Sequence, residues 1–146
     1  MNQLEIDFIN YDLKDKSKGN IQYKNVMRYV GGLKNDKPFG EGILYENENK
    51  YFEGQWMNGE PNGQGILYEK GNKIYEGNWK NSLYNGYGIL YGEFGNKVFD
   101  GQFKNGKRDG KCKWYHKNGN IKYDGECKDD IMCGKVKNYD EEGYSV

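Results

Sequence analysis

Residues 52–65 read FEGQWMNGEPNGQG, and residues 75–88 read YEGNWKNSLYNGYG. The two stretches share three glycines, a tryptophan and an opening aromatic residue at the same places. One copy of such a phrase would indicate only a glycine-rich pair of strands. Several copies at a constant spacing indicate a repeat architecture, in which neighbouring units stabilise each other.

The opening aromatic residue recurs five times, in steps of 23, 23, 24 and 24 residues. The openers are Tyr29, Phe52, Tyr75, Phe99 and Tyr123, and the glycines two residues later are Gly31, Gly54, Gly77, Gly101 and Gly125. The core-type residues four positions after each opener are Leu33, Trp56, Trp79, Phe103 and Cys127. A later column of large apolar residues contains Leu44, Leu67, Leu90 and Trp114.

Each copy has the pattern of a β-hairpin. Tyr75, Gly77 and Trp79 alternate with polar residues, so they share one face of a strand. The polar stretch at 80–86 predicts a turn, and GYGILY at 86–91 predicts the second strand. The chain is therefore expected to be all-β, a meander of tandem antiparallel hairpins.

The fixed glycines make room for rings. An aromatic ring can lie over a glycine on the neighbouring strand because no Cβ blocks it. One hairpin is marginal alone, so we expect the ring-on-glycine contacts to join the units. We assign this structural role to the openers and their glycines, and to Trp56, Trp79, Phe103 and Trp114.

The repeats divide the chain into an N-terminal cap and an array. Residues 1–28 match the pattern loosely, and within them Gly19 and Ile21 fit a degenerate copy. The five units of the array are expected at 29–51, 52–74, 75–98, 99–122 and 123–146. The last unit has Cys127 where others have tryptophan, so we expect it to pack more weakly.

Composition excludes several function classes. The net charge is zero, which argues against a broad nucleic-acid footprint. The chain has no apolar run of transmembrane length, and its first residues show no secretory signal. Three cysteines in such a chain indicate reduced thiols and a cytoplasmic location, although a Cys127–Cys133 bridge is conceivable.

Motifs for chemistry are weak. Residues 101–107, GQFKNGK, resemble a phosphate-binding loop, but Arg108 replaces the Ser or Thr that should follow. His116 and the three cysteines lack the spacing of a zinc site. No nucleophile lies at a catalytic spacing from a base. We expect no catalytic residues, no metal and no cofactor.

The second face of the predicted strands is the candidate contact surface. A one-layer sheet exposes both faces, so an exposed apolar and aromatic row is expected to bind a partner. The alternative is that this face is buried structurally. The candidate residues are Ile43, Tyr45, Ile66, Tyr68, Tyr87, Ile89 and Tyr91.

The repeated pattern resembles that of the MORN (membrane occupation and recognition nexus) repeat, roughly Y-x-G-x-W-x-x-G-x-x-x-G-x-G-x-x-x-Y. The resemblance is strongest at 52–74 and 75–98, good at 29–51 and 99–122, and partial at 123–146. It implies an elongated, twisted, single-layer sheet bent into a trough. It also implies a scaffold that contacts other proteins, as in ciliary radial spokes and cytoskeletal collars.

From this resemblance we expect a non-enzymatic subunit of a cytoskeletal or ciliary assembly, such as a radial spoke of the axoneme. Its partners would be other proteins, with a homodimer through the terminal edges as a further option. One alternative is a peripheral membrane adaptor for anionic lipid, to which the basic cluster Lys14, Lys16 and Lys18 would contribute. Another is an accessory subunit of an enzyme.

Overall fold

The computed structural model describes residues 4–10 and 25–146, which form one antiparallel sheet. Eleven strands follow one another in chain order across the described part of the sheet, so the all-β expectation is confirmed. The strands are β1 (Leu4–Asn10), β2 (Asn25–Lys34), β3 (Lys37–Glu46), β4 (Asn49–Met57), β5 (Glu60–Glu69), β6 (Asn72–Lys80), β7 (Leu83–Tyr91), β8 (Lys97–Lys104), β9 (Lys107–Tyr115), β10 (Ile121–Lys128) and β11 (Ile131–Asn138). Gly19 and Ile21 of the expected degenerate repeat, and the basic cluster Lys14, Lys16 and Lys18, lie outside the described residues.

Tight turns set the spacing of the repeats. In the described part of the chain, seven turns consist of two residues that both have positive φ, and asparagine is the first residue in five of them. This geometry matches the twist of the flanking strands and suits Asn and Gly. The turn expected over 80–86 is shorter, because Asn81 and Ser82 alone form it and Leu83 begins β7. Longer connections at 92–96 and 116–120 account for the two 24-residue steps.

Glycines pair with glycines across the sheet. The register places Gly54 of β4 between Gly42 and Gly65, and the row continues in both directions. The complete row from β2 to β10 is Gly31, Gly42, Gly54, Gly65, Gly77, Gly88, Gly101, Cys112 and Gly125. From β2 to β10 the sheet therefore has a strip without side chains that is interrupted only at Cys112.

Rings from the openers fill this strip. The tips of Tyr29, Phe52 and Tyr75 lie over glycines of the next strand, where an added Cβ would overlap the ring. The covered glycines are Gly42, Gly65 and Gly88, respectively. The expected ring-on-glycine contact is therefore present, and it explains why these positions exclude a side chain. Each ring lies in the same hairpin as the glycine that it covers, so the expectation that these contacts join the units is wrong.

A continuous chain of rings joins the repeats. Trp56 lies edge-to-face against Tyr29 and Phe52, and Trp79 lies in the same way against Phe52 and Tyr75. Such edge-to-face pairs contribute about 0.5–1.5 kcal/mol each beyond area burial. The contacts continue through Phe103, Phe99, Trp114 and Tyr123. We call the sheet face that carries these rings the ring face.

Hydrogen bonds fix the rings in place. The indole N–H of Trp56 donates to the carbonyl oxygen of Gly42, and that of Trp79 donates to Gly65, both at 3.1 Å. The Tyr75 hydroxyl donates to the carbonyl of Asn78 at 2.8 Å. These donors are buried, so each bond satisfies a polar group that water does not reach.

The sheet loses its core toward the C-terminal edge. The side chains of β11 are mostly exposed, including Ile131, Met132 and Val136. Beyond β11, residues 139–146 fold back, and Val146 donates its backbone N–H to the Asn138 carbonyl. This weak packing agrees with the expectation for the last repeat.

We predict that Gly65→Ala destabilises the protein by about 1–3 kcal/mol, the usual range for overpacking. The added methyl would overlap the Phe52 ring, and the backbone of Gly65 has no unusual φ that would add strain. Urea denaturation checks the effect. In the double variant Gly65→Ala/Phe52→Leu the two costs should not add, because the smaller side chain leaves room. Strict additivity would contradict the ring-on-glycine contact.

Candidate functional site

An apolar groove lies on the ring face, with a volume of about 550 Å³. Strands β3 to β7 and the turn at Gly106 contribute to its lining, so the ring face is concave here. The principal lining residues are Leu44, Tyr51, Pro61, Leu67, Leu83 and Tyr84. A concave apolar surface of this size is typical of binding sites.

The groove has a rigid floor and an accessible rim. Trp56 and Trp79, only 6% and 7% exposed, lie at the floor. Tyr84 stacks on Tyr75 with ring centroids 3.8 Å apart and nearly parallel planes. At the rim, Tyr51 is 39% and Leu83 46% exposed. These two side chains offer apolar surface to a ligand without any change in the core.

Register shifts bring Tyr51 to the groove. On β3 and β4, Leu44 pairs with Phe52 and Tyr45 pairs with Lys50, so Tyr51 is the extra residue of a bulge and has no pairing partner on β3. Sequence reasoning missed Tyr51, Leu83 and Tyr84, although a signal existed for the first. The residue immediately before the opener is apolar in three repeats, namely Tyr51, Ile74 and Val98.

The opposite face carries all seven residues predicted as a contact surface. The register joins Ile43, Ile66 and Ile89 in one row, and we call this the isoleucine face. Glu53 lies between the first two isoleucines of the row, and Glu76 between the last two. The predicted residues are thus brought together, but an acidic side chain separates each pair of isoleucines.

Four tyrosines of the isoleucine face lie beside charged side chains. The hydroxyls of Tyr68 and Tyr91 donate to Glu53 and Glu76, at 3.3 and 2.9 Å. Each acid also pairs with a lysine three residues before it, and the fourth repeat has the same cluster. The clusters are Lys50–Glu53–Tyr68, Lys73–Glu76–Tyr91 and Lys97–Asp100–Tyr115. Tyr45 instead lies beneath the guanidinium of Arg28.

These contacts shift the pKa values of the acid and the tyrosine in a cluster. The hydrogen bond from Tyr91, helped by Lys73, lowers the pKa of the Glu76 carboxyl. Burial, and then the bond to Glu76, raise the pKa of the Tyr91 hydroxyl to about 12. Tyr91 therefore stays a neutral donor and Glu76 a charged acceptor. Among the predicted residues, Tyr87 differs, because 46% of it is exposed.

The isoleucine face changes character toward the C-terminus. Its row continues beyond Ile89 with residues of alternating charge. These are Asp100, Lys113, Asp124 and Lys137. Opposite charges on neighbouring strands stabilise a sheet modestly. The apolar part of this face is therefore confined to the first three repeats of the array.

The residues weighed for chemistry serve structural contacts. The ring Nε2 of His116 lies 2.8 Å from the carbonyl oxygen of Tyr139 and so ties the C-terminal segment to the sheet. Residues 101–107 run from β8 through a two-residue turn into β9, so no helix follows the first glycine. Among the described side chains, those of residues 27–146, no group of three or more acidic, cysteine or histidine residues is placed to hold a metal ion.

Comparison with known families decides the classification. The model of the MORN repeat matches residues 29–49, 52–73, 75–94 and 99–121, more than half of the chain. The chain belongs to the MORN repeat family. The hairpin of β10 and β11 has no match of its own, and no curated protein matches the chain.

Membership of the MORN repeat family supports a coarse function. MORN repeats generally mediate protein or lipid interactions, which makes this chain a binding scaffold. Their all-β repeat fold is typical of non-enzymatic proteins. No helix in the described ranges is long and apolar enough to cross a membrane.

We predict that Tyr91→Phe raises the pKa of Glu76 toward the ordinary value of about 4.3 for glutamate, because the principal bond that lowers it is lost. A lowered pKa stabilises the fold above the pKa of the unfolded chain, and this stability is lost as the pH falls through the folded value. The variant should therefore lose less stability on acidification. Side-chain NMR titration of Glu76 measures the shift.

Tyr45→Phe is the matched control, since Tyr45 occupies the same column in the first repeat and contacts Arg28 instead. It should leave the Glu76 titration unchanged. An unchanged titration in Tyr91→Phe as well would show that the hydroxyl does not hold this carboxylate.

Proposed function

We propose that the protein is a non-enzymatic scaffold that binds a segment of another protein in the apolar groove of the ring face. The observation that supports this most directly is the open groove itself, with Tyr51 and Leu83 exposed above a floor of packed rings. Burial of exposed apolar area drives most protein association, at about 25 cal/mol per Å².

The rigidity of the groove favours binding. Floor residues are held by edge-to-face contacts and by the indole hydrogen bonds, so little conformational freedom is lost when a partner binds. Preorganisation of this kind increases affinity, because the cost of ordering is already met in the free protein. A narrow partner segment with large apolar side chains fits this surface best.

The isoleucine face is the second candidate surface. Its support is Tyr87, which is exposed although it lies beside the half-buried Ile89 and Tyr91. Tyr68 and Tyr91 suit a binding test poorly, because aspartate at either position would face Glu53 or Glu76 and disturb the fold. Tyr87 can be changed without that difficulty.

We predict that Tyr51→Glu combined with Leu83→Glu weakens partner binding at least tenfold. Two charges at the groove rim would have to lose water on contact with an apolar partner, at a cost of roughly 1–3 kcal/mol or more. Partners are recovered on the immobilised full chain and quantified by mass spectrometry. Circular dichroism and urea denaturation confirm that the variant is folded.

Tyr87→Glu is the matched control, because Tyr87 has the same exposed fraction as Leu83 and lies on the same strand but on the isoleucine face. It should retain the partners. Retention by the groove variant together with loss in Tyr87→Glu would move the binding site to the isoleucine face.

We propose, from family membership alone, that the scaffold belongs to a cytoplasmic assembly of the cytoskeleton or of a cilium, such as a radial spoke. Detergent extraction of native cells tests this location. Retention in the detergent-insoluble skeleton with a defined set of axonemal proteins would support it. Release by detergent with membrane proteins would contradict it.

Three further proposals concern other partners. A membrane adaptor would bind anionic phospholipid, and flotation with vesicles containing phosphatidylserine at low salt tests this, since such binding weakens with ionic strength. A homodimer through the terminal edges would use unpaired strand groups of the kind that β11 presents. Sedimentation equilibrium of the full chain distinguishes monomer from dimer.

The third proposal is that the protein is an accessory subunit of an enzyme. In that case the enzyme would be found among the recovered partners.

A further inference from the structure

Two buried cysteines meet on the ring face of the last repeat junction. The Sγ atoms of Cys112 on β9 and Cys127 on β10 lie 2.6 Å apart, and the residues are 1% and 3% exposed. Both are free thiols in the structure. A disulfide bond is about 2.05 Å long, so the two sulfurs are close to bonding distance.

The repeat pattern explains why these two positions meet. Cys112 occupies the glycine row, in the column of Gly42 and Gly65, and Cys127 occupies the column of Trp56 and Trp79. In two earlier repeats these columns are joined by the hydrogen bond from the indole to the glycine carbonyl. Between β9 and β10 the equivalent positions are in contact through the two cysteine sulfurs.

The two departures from the pattern complement each other. A side chain in the glycine row would crowd a tryptophan placed as in the earlier repeats, because the Trp79 indole nitrogen lies only 3.2 Å from the Cβ position of Gly65. With cysteine at both positions the ring is absent and its space is partly filled by the second thiol. The contact that joined β3 to β4 through an indole is replaced by a sulfur–sulfur contact.

We propose that Cys112 and Cys127 form a disulfide that links β9 to β10 when the protein meets an oxidant of the low-molecular-weight disulfide class. The Cys127 thiolate attacks the added disulfide and releases one thiol. The Cys112 thiolate then attacks the Cys127 sulfur of the mixed disulfide and releases the second thiol. The two cysteines lose two electrons and two protons, and the oxidant becomes two thiols.

The surroundings make this link slow to form and slow to break. Burial raises the pKa of the Cys112 thiol, so little thiolate is present near neutral pH. Neither sulfur is reached from solvent without local opening of the sheet. The adjoining hairpin of β10 and β11 is the place for such opening, because β11 is a mostly exposed edge strand.

The disulfide would hold the least packed hairpin to the array. It closes a loop between residues 15 positions apart in the chain. A loop of about 15 residues corresponds to roughly a 100-fold change in an opening equilibrium. Some β10 amides exchange their hydrogen only when the hairpin separates from β9. For these amides we expect exchange to slow by about 100-fold on oxidation.

The experiment refolds the full chain from denaturant in a buffer of oxidised and reduced glutathione, so that burial does not block the reaction. Remaining thiols are alkylated, and linked peptides are identified by mass spectrometry. The expected product is an intramolecular Cys112–Cys127 link with Cys133 alkylated. Cys133→Ser is the matched variant and should form the same link to the same extent.

Three results would overturn the proposal. They are a link that contains Cys133, a dimer between chains that reductant dissociates, and complete alkylation of all three cysteines after refolding. Hydrogen exchange gives an independent reading, since Cys127→Ser should show no difference between oxidising and reducing buffers. If oxidised and reduced wild-type protein exchanged β10 amides equally fast, the link would not stabilise the hairpin.

Discussion

The contact on which this sheet depends is an aromatic ring lying where the next strand would otherwise carry a side chain. The ring of Phe52 occupies the space above Gly65, and Tyr29 and Tyr75 do the same above Gly42 and Gly88. The tryptophan of the following repeat packs against the same ring, as Trp79 does against Phe52, so no hairpin completes its own packing. The repeat period, the glycine row and the continuous chain of rings all follow from this one constraint.

The same constraint gives the two faces different surfaces. Rings that cover glycines leave a concave apolar groove above them, and the indole hydrogen bonds keep its floor fixed. The isoleucine face contains regular clusters of lysine, acid and tyrosine that stabilise pairs of strands. This MORN repeat protein therefore has one face with an exposed apolar groove and another face that is largely occupied by its own contacts.

Much of the fold could be predicted from the sequence, because period-two alternation and the glycine columns are local signals. Tyr75, Gly77 and Trp79 indicated their shared face correctly. Other features depend on register, which local patterns do not give. Glu53 separates Ile43 from Ile66 only because β4 lies between β3 and β5. Leu83 and Tyr84 of the groove were missed because the stretch at 80–86 is mostly polar and was assigned to a turn. The contact between Cys112 and Cys127 could not be predicted either, because it depends on both strand register and side-chain geometry.

The most direct test of this account is the nuclear Overhauser effect between ring protons and glycine Hα protons in solution. We expect strong cross-peaks from the Tyr29 ring to Gly42, from Phe52 to Gly65 and from Tyr75 to Gly88, because each ring tip touches that glycine. Gly71 lies in a turn with no neighbour within 4 Å of its Cβ position and should show none with any ring. Rings that gave cross-peaks only within their own strand would contradict the account.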